Sequence, residues 1–274
     1  MLLRRSDLGR IIFNIKSSLY VKFQFKSGKG INYEEKFKSI ANFLLNHIIL
    51  MIGGIKHRLL EIEFCFKDNN HNDPFIHGDS HQQNPLFWYF HRQNGKDYKS
   101  GTFKGLDIVF GKNTSNSSFG GILIRSIQCL QVSKRNLDAK KIIEGPCNVV
   151  NYILNLCKYQ TIEEMIKENL DSTISAEQLS IQKIYNKKLY LEQKQNFLET
   201  KEVFSGPRVG LSLGKTKDKG REHFIMKNYR FLIFADKIKK NINTIIINLH
   251  IQGFDIENIS SKTHIKSHLI SIGD

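Results

Sequence analysis

The sequence predicts a mixed α/β (α+β) fold: a single domain in which a curved, largely antiparallel sheet carries packed helices and a protruding β-hairpin. Three observations predict it. From His57 to Phe66, apolar Leu60, Ile62, Phe64 and Phe66 alternate with Glu61, Glu63 and Cys65, the period of a half-buried strand. Asn94-Gly95 follows an aromatic strand, Phe87 to Arg92, and precedes a return arm, Asp97 to Phe103. That dipeptide suits a type I′ turn, which needs positive φ at both central positions. Tyr33 to Met51 keeps Phe37, Ile40, Phe43, Leu44 and Ile48 at helical spacing.

Taken in order, residues 1–32 form a basic arm, with Arg4, Arg5, Arg10 and Lys16 against Asp7. It is expected to be disordered, with a mitochondrial transit peptide as the alternative. The helix from Tyr33 has Glu34 and Glu35 in its first turn and Gly53-Gly54 to end it. If the apolar row of the next strand faces the core, Glu61 and Glu63 leave by the other face, where a general base could work. Asp68 to Pro85 is a long polar loop holding His71, Asp73, His77, Asp79 and His81. Loops of that length are usually functional or disordered. Leu106 to Phe110 and Gly121 to Ile127 read as strands, joined by an exposed loop, Lys112 to Phe119. Arg125 lies in the second, and its charge is costly there unless a carboxylate or bound anion answers it.

Beyond that, Gly145-Pro146 opens a helix, and Thr161-Ile162-Glu163-Glu164 is a capping box opening another. Residues 171–203 read as an inserted helical segment. Gly206 to Leu211 resumes the sheet, Lys215 to Glu222 is a charged loop, and Ile245-Ile246-Ile247-Leu249 adds a strand in a C-terminal extension, 236–274.

At 274 residues, 40% hydrophobic and 24% charged, the chain is large enough for one substantial core. Its net charge of +15 favours a polyanionic partner, nucleic acid before an acidic membrane surface. The competing explanation is a codon bias that enriches Lys, Asn and Ile. Cys65, Cys129, Cys147 and Cys157 form no Cys-x-x-Cys pair. That points to a reduced intracellular protein with neither a disulfide framework nor a structural zinc site. No apolar run reaches the length of a membrane span.

Five motifs in one order resemble the alkyladenine (3-methyladenine) DNA glycosylases. Glu61-Ile62-Glu63 stands where that family has a Glu-Thr-Glu-Ala-Tyr strand, and Asp73-x-x-x-His77 matches its Asp-x-x-x-His element. Leu123-Ile124-Arg125-Ser126-Ile127 matches Leu-Leu-Arg-Ala-Leu. Glu144-Gly145-Pro146 matches the family's Gly-Pro helix start. Arg208-Val209-Gly210, then Tyr229 to Ile233, match its Arg-Val-Gly and Leu-Arg-Phe-Tyr-Val strands. The resemblance covers Tyr33 to about Phe234, so a divergent glycosylase-like domain is expected over 33–235.

The resemblance implies a metal-independent DNA N-glycosylase with no cofactor, acting in base excision repair. It would flip a damaged purine out of duplex DNA, since the bond is unreachable inside the stack. Glu63 would be the general base and Arg125 would help hold the attacking water, with a backbone carbonyl near Val209 as the water's third contact. His77 would line the base pocket, and Cys65 stands where the family has its pocket tyrosine. The family's hairpin tyrosines fall near Gly101 and Lys104, and its pocket asparagine near Gly111. Base recognition is therefore rewritten around a retained reaction centre. Lys96, Lys99, Phe103 and Lys104, on and after the hairpin, would meet DNA. The partner expected is damaged DNA and no membrane, for a monomer in the nucleus or, alternatively, the mitochondrion.

Other readings stand beside these. Glu63 could be a solvated surface carboxylate, and Arg125 a structural ion pair with Glu61 or Asp107. Trp88, Tyr89 and Phe90 could pack the core instead of stacking on bases. The whole chain could be an inactive nucleic-acid-binding relative. A third possibility is a metal-dependent hydrolase using His71, His77 and His81.

Overall fold

The computed structural model describes residues 30–115, 117–130, 141–169, 188–193, 199–213 and 220–270. The basic arm up to residue 29, most of the inserted segment and residues 215–219 of the charged loop lie outside the described residues. The fold is the mixed α+β architecture the sequence predicts, with one large antiparallel sheet.

Helix α1, Tyr33–His47, starts where the Asn32 side chain accepts from the Glu35 N–H at 3.2 Å, and it buries Phe37, Ile40 and Leu44. It stops four residues short of the predicted end. Ile48–Ile52 is instead strand β1, buried at all five positions. A short apolar run of Ile, Leu and Met suits a buried strand as well as a helix face. Gly53 (φ 57°) and Gly54 (φ 82°) form the turn into β2, Ile55–Lys67.

Strands β3 (Trp88–Phe90), β6 (Leu106–Val109), β7 (Phe119–Cys129) and β8 (Ile142–Glu144) extend the sheet beyond β2. Between β3 and β6 the chain forms a separate two-stranded ribbon, β4 (Arg92–Gln93) and β5 (Asp97–Tyr98). Asn94 (φ 53°) and Gly95 (φ 69°) make its turn as predicted. Helix α2, Pro146–Cys157, follows β8, and α3, Ile162–Asn169, opens on a capping box. There Thr161 Oγ1 accepts from the Glu164 N–H at 3.1 Å, and Glu164 Oε2 accepts from the Gln160 N–H at 2.7 Å.

Within the predicted helical insertion, Leu189–Gln193 is a strand, β9, paired along the outer edge of β1. An open edge of five buried residues needs that cover. Strand β10, Phe204–Gly206, pairs with β11, Arg230–Leu232, which pairs with β2; a short helix α4, Arg221–Ile225, lies between them. The sheet ends at Gly206, so Arg208 to Gly210 run past it instead of continuing it. The predicted C-terminal strand is helix α5, Asn243–Ile251, followed by α6, Ile256–Thr263. Ile245, Ile246, Leu249 and Ile259 enter the same core as the sheet, so this segment is part of the domain and not an appendage. No helix among the described residues is long and apolar enough to cross a membrane.

The sheet's two faces differ. Leu60, Ile62, Phe64, Trp88, Ile108, Ile122 and Ile124 fill the core. On the other face, register lines up one residue from each of five neighbouring strands: Arg230, Glu63, Leu123, Asp107 and Tyr89. Directly opposed residues project to the same side, so three titratable side chains and an arginine share this rank. A register shift in β2 on either side of Glu61 falls beside it, a local irregularity of the kind that re-aims side chains next to functional sites.

Candidate active site

Glu61 and Glu63 lie on the polar face, as the period-two pattern predicts, but neither is a solvated surface group: they are 1% and 4% exposed. Arg125 serves both. Its Nε donates to Glu61 Oε1 at 3.0 Å and its Nη1 to Glu63 Oε2 at 3.3 Å. The expected pairing with Glu63 is present together with the structural pairing to Glu61, while Asp107 takes no part in it. Glu61 also accepts from Arg230 Nε at 2.7 Å and from the Ser126 hydroxyl at 2.6 Å. Arg230 is fixed in turn by the carbonyls of Lys240 and Asn241 and the Thr244 hydroxyl, all from the C-terminal segment. Glu61 therefore anchors, and Glu63 is the carboxylate presented.

The other oxygen of Glu63 meets Val209. The Val209 N–H donates to Glu63 Oε1 at 2.7 Å. Asp73 makes this possible. It grips Arg208 at two points, Nη1 to Oδ2 at 2.7 Å and Nη2 to Oδ1 at 3.1 Å, and that pair pins residues 207–209 against the sheet. Burial pushes the Glu63 carboxyl above the ordinary carboxylate range, against the pull of Arg125 and of the Val209 N–H. A general base works best with its pKa lifted toward the working pH.

Cys65, next along the face, touches Arg208 Nη1 at 3.1 Å. Burial, helped by nearby Asp73, Asp107 and Glu63, pushes its thiol up to about 12 although Arg208 opposes it. At neutral pH it is a protonated thiol and no nucleophile.

Across Leu123 lies a second cluster, which joins His77, Asp79 and His81 of the polar loop to Tyr89, His91 and Asp107. Asp107 pairs with His91, Oδ1 to Nε2 at 2.8 Å. His77 lies against His91 (ring centroids 4.5 Å apart), with Tyr89 Oη 3.2 Å from its Nδ1 and Lys99 Nζ 3.2 Å from its Nε2. Tyr89 reaches Asp79 Oδ2 at 3.3 Å, and Asp79 Oδ1 accepts from His81. His77 thus belongs to the Asp107 side. The Asp107 and Glu63 backbones stand two strand spacings apart, roughly 10 Å. A cleft of about 470 Å³ opens here, lined by His77, Asp79, Tyr89, Arg92, Asn94 and Lys99.

The three histidines of the polar loop are engaged separately. His71 turns into the core, its Nδ1 2.8 Å from the Phe66 carbonyl oxygen and its Nε2 2.7 Å from Tyr229 Oη. His81 is held by Asp79 and Arg92, and His77 faces Tyr89 and Lys99. Among the described residues no three His, Cys, Asp or Glu side chains gather as ligands. Trp88 and Phe90 face the core, which leaves Tyr89 alone of that trio on the polar side.

Of the residues expected to meet DNA, Lys96 is exposed at the hairpin and Phe103 is 75% exposed. Lys104 donates to Asn151 Oδ1 on α2 at 2.8 Å, and Lys99 is engaged with His77. Asp107, His91 and Arg230 were legible only as polar residues in strands, because the contacts that give them roles cross between strands.

No protein-family model matches the sequence. The chain is 36% identical over 230 residues to Uncharacterized protein L759 of Acanthamoeba polyphaga mimivirus, a match spanning 77% of this chain and 92% of the viral one. At that identity and coverage, the chain belongs to the same family as the mimivirus protein.

Proposed function

We propose that the protein is a DNA glycosylase-like hydrolase that extrudes a damaged base and uses Glu63 to activate water against its N-glycosidic bond. One observation carries this reading: Glu63 lies on the polar face of the sheet with one oxygen on Arg125 (3.3 Å) and the other on the Val209 N–H (2.7 Å). Each oxygen retains accepting capacity, so a water placed against the carboxylate has a base to take its proton and a guanidinium beside it. In such a reaction the water's proton passes to Glu63, and its oxygen bonds to the anomeric carbon as the C–N bond breaks. The electron pair of that bond leaves with the base. Arg125, kept in place by Glu61, steadies the hydroxide-like oxygen. The net charge of +15 suits a nucleic-acid substrate, and the ribbon with Lys96, followed by exposed Phe103, supplies a probe for the groove.

The second reading is a nucleic-acid-binding relative without turnover. The small Cys65 where the resembled family has a stacking tyrosine, and the near-complete burial of Glu63, favour it.

Single-turnover excision from a duplex oligonucleotide carrying hypoxanthine or ethenoadenine separates the two. Glu63→Gln is expected to lower the rate by roughly a hundredfold or more. Equal product from both proteins removes Glu63 as the base. Tight binding without product from the unmodified protein supports the second reading.

A further inference from the structure

The Asp107 side of the rank has no part in the water chemistry, yet it is as carefully built. Asp107 is 4% exposed and its two oxygens differ. Oδ1 is held by His91 Nε2 at 2.8 Å. Oδ2 has no protein donor among the described residues and is not sealed from solvent. It lies over Gly121, where a Cβ would come within 2.4 Å of it. Gly121 is paired with Cys65 across β2, so this oxygen stands next to the small thiol, on the polar face. Gly105 does the same for the imidazole: a Cβ there would come within 2.4 Å of His91 Nδ1. Two glycines thus make room for the pair, and Leu123 lies between Glu63 and Asp107 in the rank, with Cys65 and Gly121 in the next one.

A largely buried carboxylate oxygen without a donor is costly unless a ligand supplies one. An ionised carboxylate only accepts, so the group it selects carries an N–H. We propose that Asp107 is a specificity-determining residue whose Oδ2 accepts an N–H from the edge of the extruded base, and that His91 is the positioning residue that holds it there. The inference rests on the glycosylase reading and names what that site prefers: bases that present an exocyclic amino group, over bases whose edge offers only acceptors.

The test is single-turnover excision of 3-methyladenine, which keeps its amino group, and of ethenoadenine, which has no N–H on that edge. Asp107→Asn turns the open position into an NH₂ donor. The ratio of the two rates is expected to fall roughly tenfold or more, and a urea-unfolding midpoint that matches the unmodified protein reports an intact fold. His91→Ala should lower the same ratio, and His91→Gln, which keeps a donor, should restore part of it. An unchanged ratio in Asp107→Asn, with both rates kept or both lost together, overturns the role of Asp107 and leaves the glycosylase reading standing. No product from the unmodified protein on either lesion removes that reading and this inference with it.

Discussion

On one side of Leu123, Glu61 and Glu63 are answered by Arg125 and Arg230; on the other, Asp107 and Asp79 are answered by His91 and His81. The chemistry of the partners separates the two halves. A guanidinium stays charged at any pH a protein meets, so the arginine half is a fixed frame with both oxygens of each carboxylate occupied. An imidazole can donate through one ring nitrogen and accept through the other, and the histidine half borders the open cleft beside the hairpin. In the proposed reaction the first half holds the reacting carboxylate still, and the second meets the base.

The largest effect expected from breaking this contrast comes from Glu61→Ala. It strands two buried guanidiniums and the Ser126 hydroxyl, and removal of one partner from a buried pair costs roughly 3–5 kcal/mol. Urea unfolding measures it; a loss below about 1 kcal/mol would mean the arginine half is no frame at all. Next comes Gly121→Ala on the histidine side. The new methyl would overlap Oδ2 of the Asp107 carboxylate, which His91 holds through Oδ1, and overpacking of this kind costs roughly 1–3 kcal/mol. The same unfolding measurement, with the His91 ring resonances as a second readout, shows whether the carboxylate is displaced; unshifted resonances and unchanged stability would contradict the close fit.

The smallest effect is set by pH. His77 is lowered from 6.5 to about 4, by burial of its ring first and then by neighbouring His91. Its folded value lies below its unfolded one, so the unfolded chain takes up the proton first. The contribution of His77 is complete above about pH 6.5 and shrinks as pH falls toward about 4. Asp79 has the same sign at lower pH. Burial works against its charge, but the His81 hydrogen bonds hold its carboxyl down to about 2 from 3.8. Histidine NMR titration should show His77 neutral until pH approaches 4; titration at or above 6.5 would mean that its ring is not desolvated against His91.

The frame was more legible in the sequence than the histidine half, for a physical reason. Alternation along β2 puts Glu61 and Glu63 on one face whatever their partners are, and Arg125 in an apolar strand requires a carboxylate; together they name the pair. The Asn94-Gly95 turn was equally local. Asp107 and His91 depend on which residues of β3 and β6 stand opposite each other, a matter of register that no single stretch encodes. The misread elements share a cause. Ile48–Ile52 and Ile245–Leu249 are short apolar runs that fit a strand or a helix, and the choice falls to neighbours far along the chain. β9 became a strand because β1 offered it an edge, and the polar sequence around it held no such sign.

The hold of Lys240 and Asn241 on Arg230 has a consequence for biogenesis. A nascent chain that has emerged only through β11 already contains every strand of the sheet, yet the guanidinium facing Glu61 has nothing behind it. Assembly of the Glu61–Arg125–Arg230 cluster therefore waits on residues made after the last of these strands.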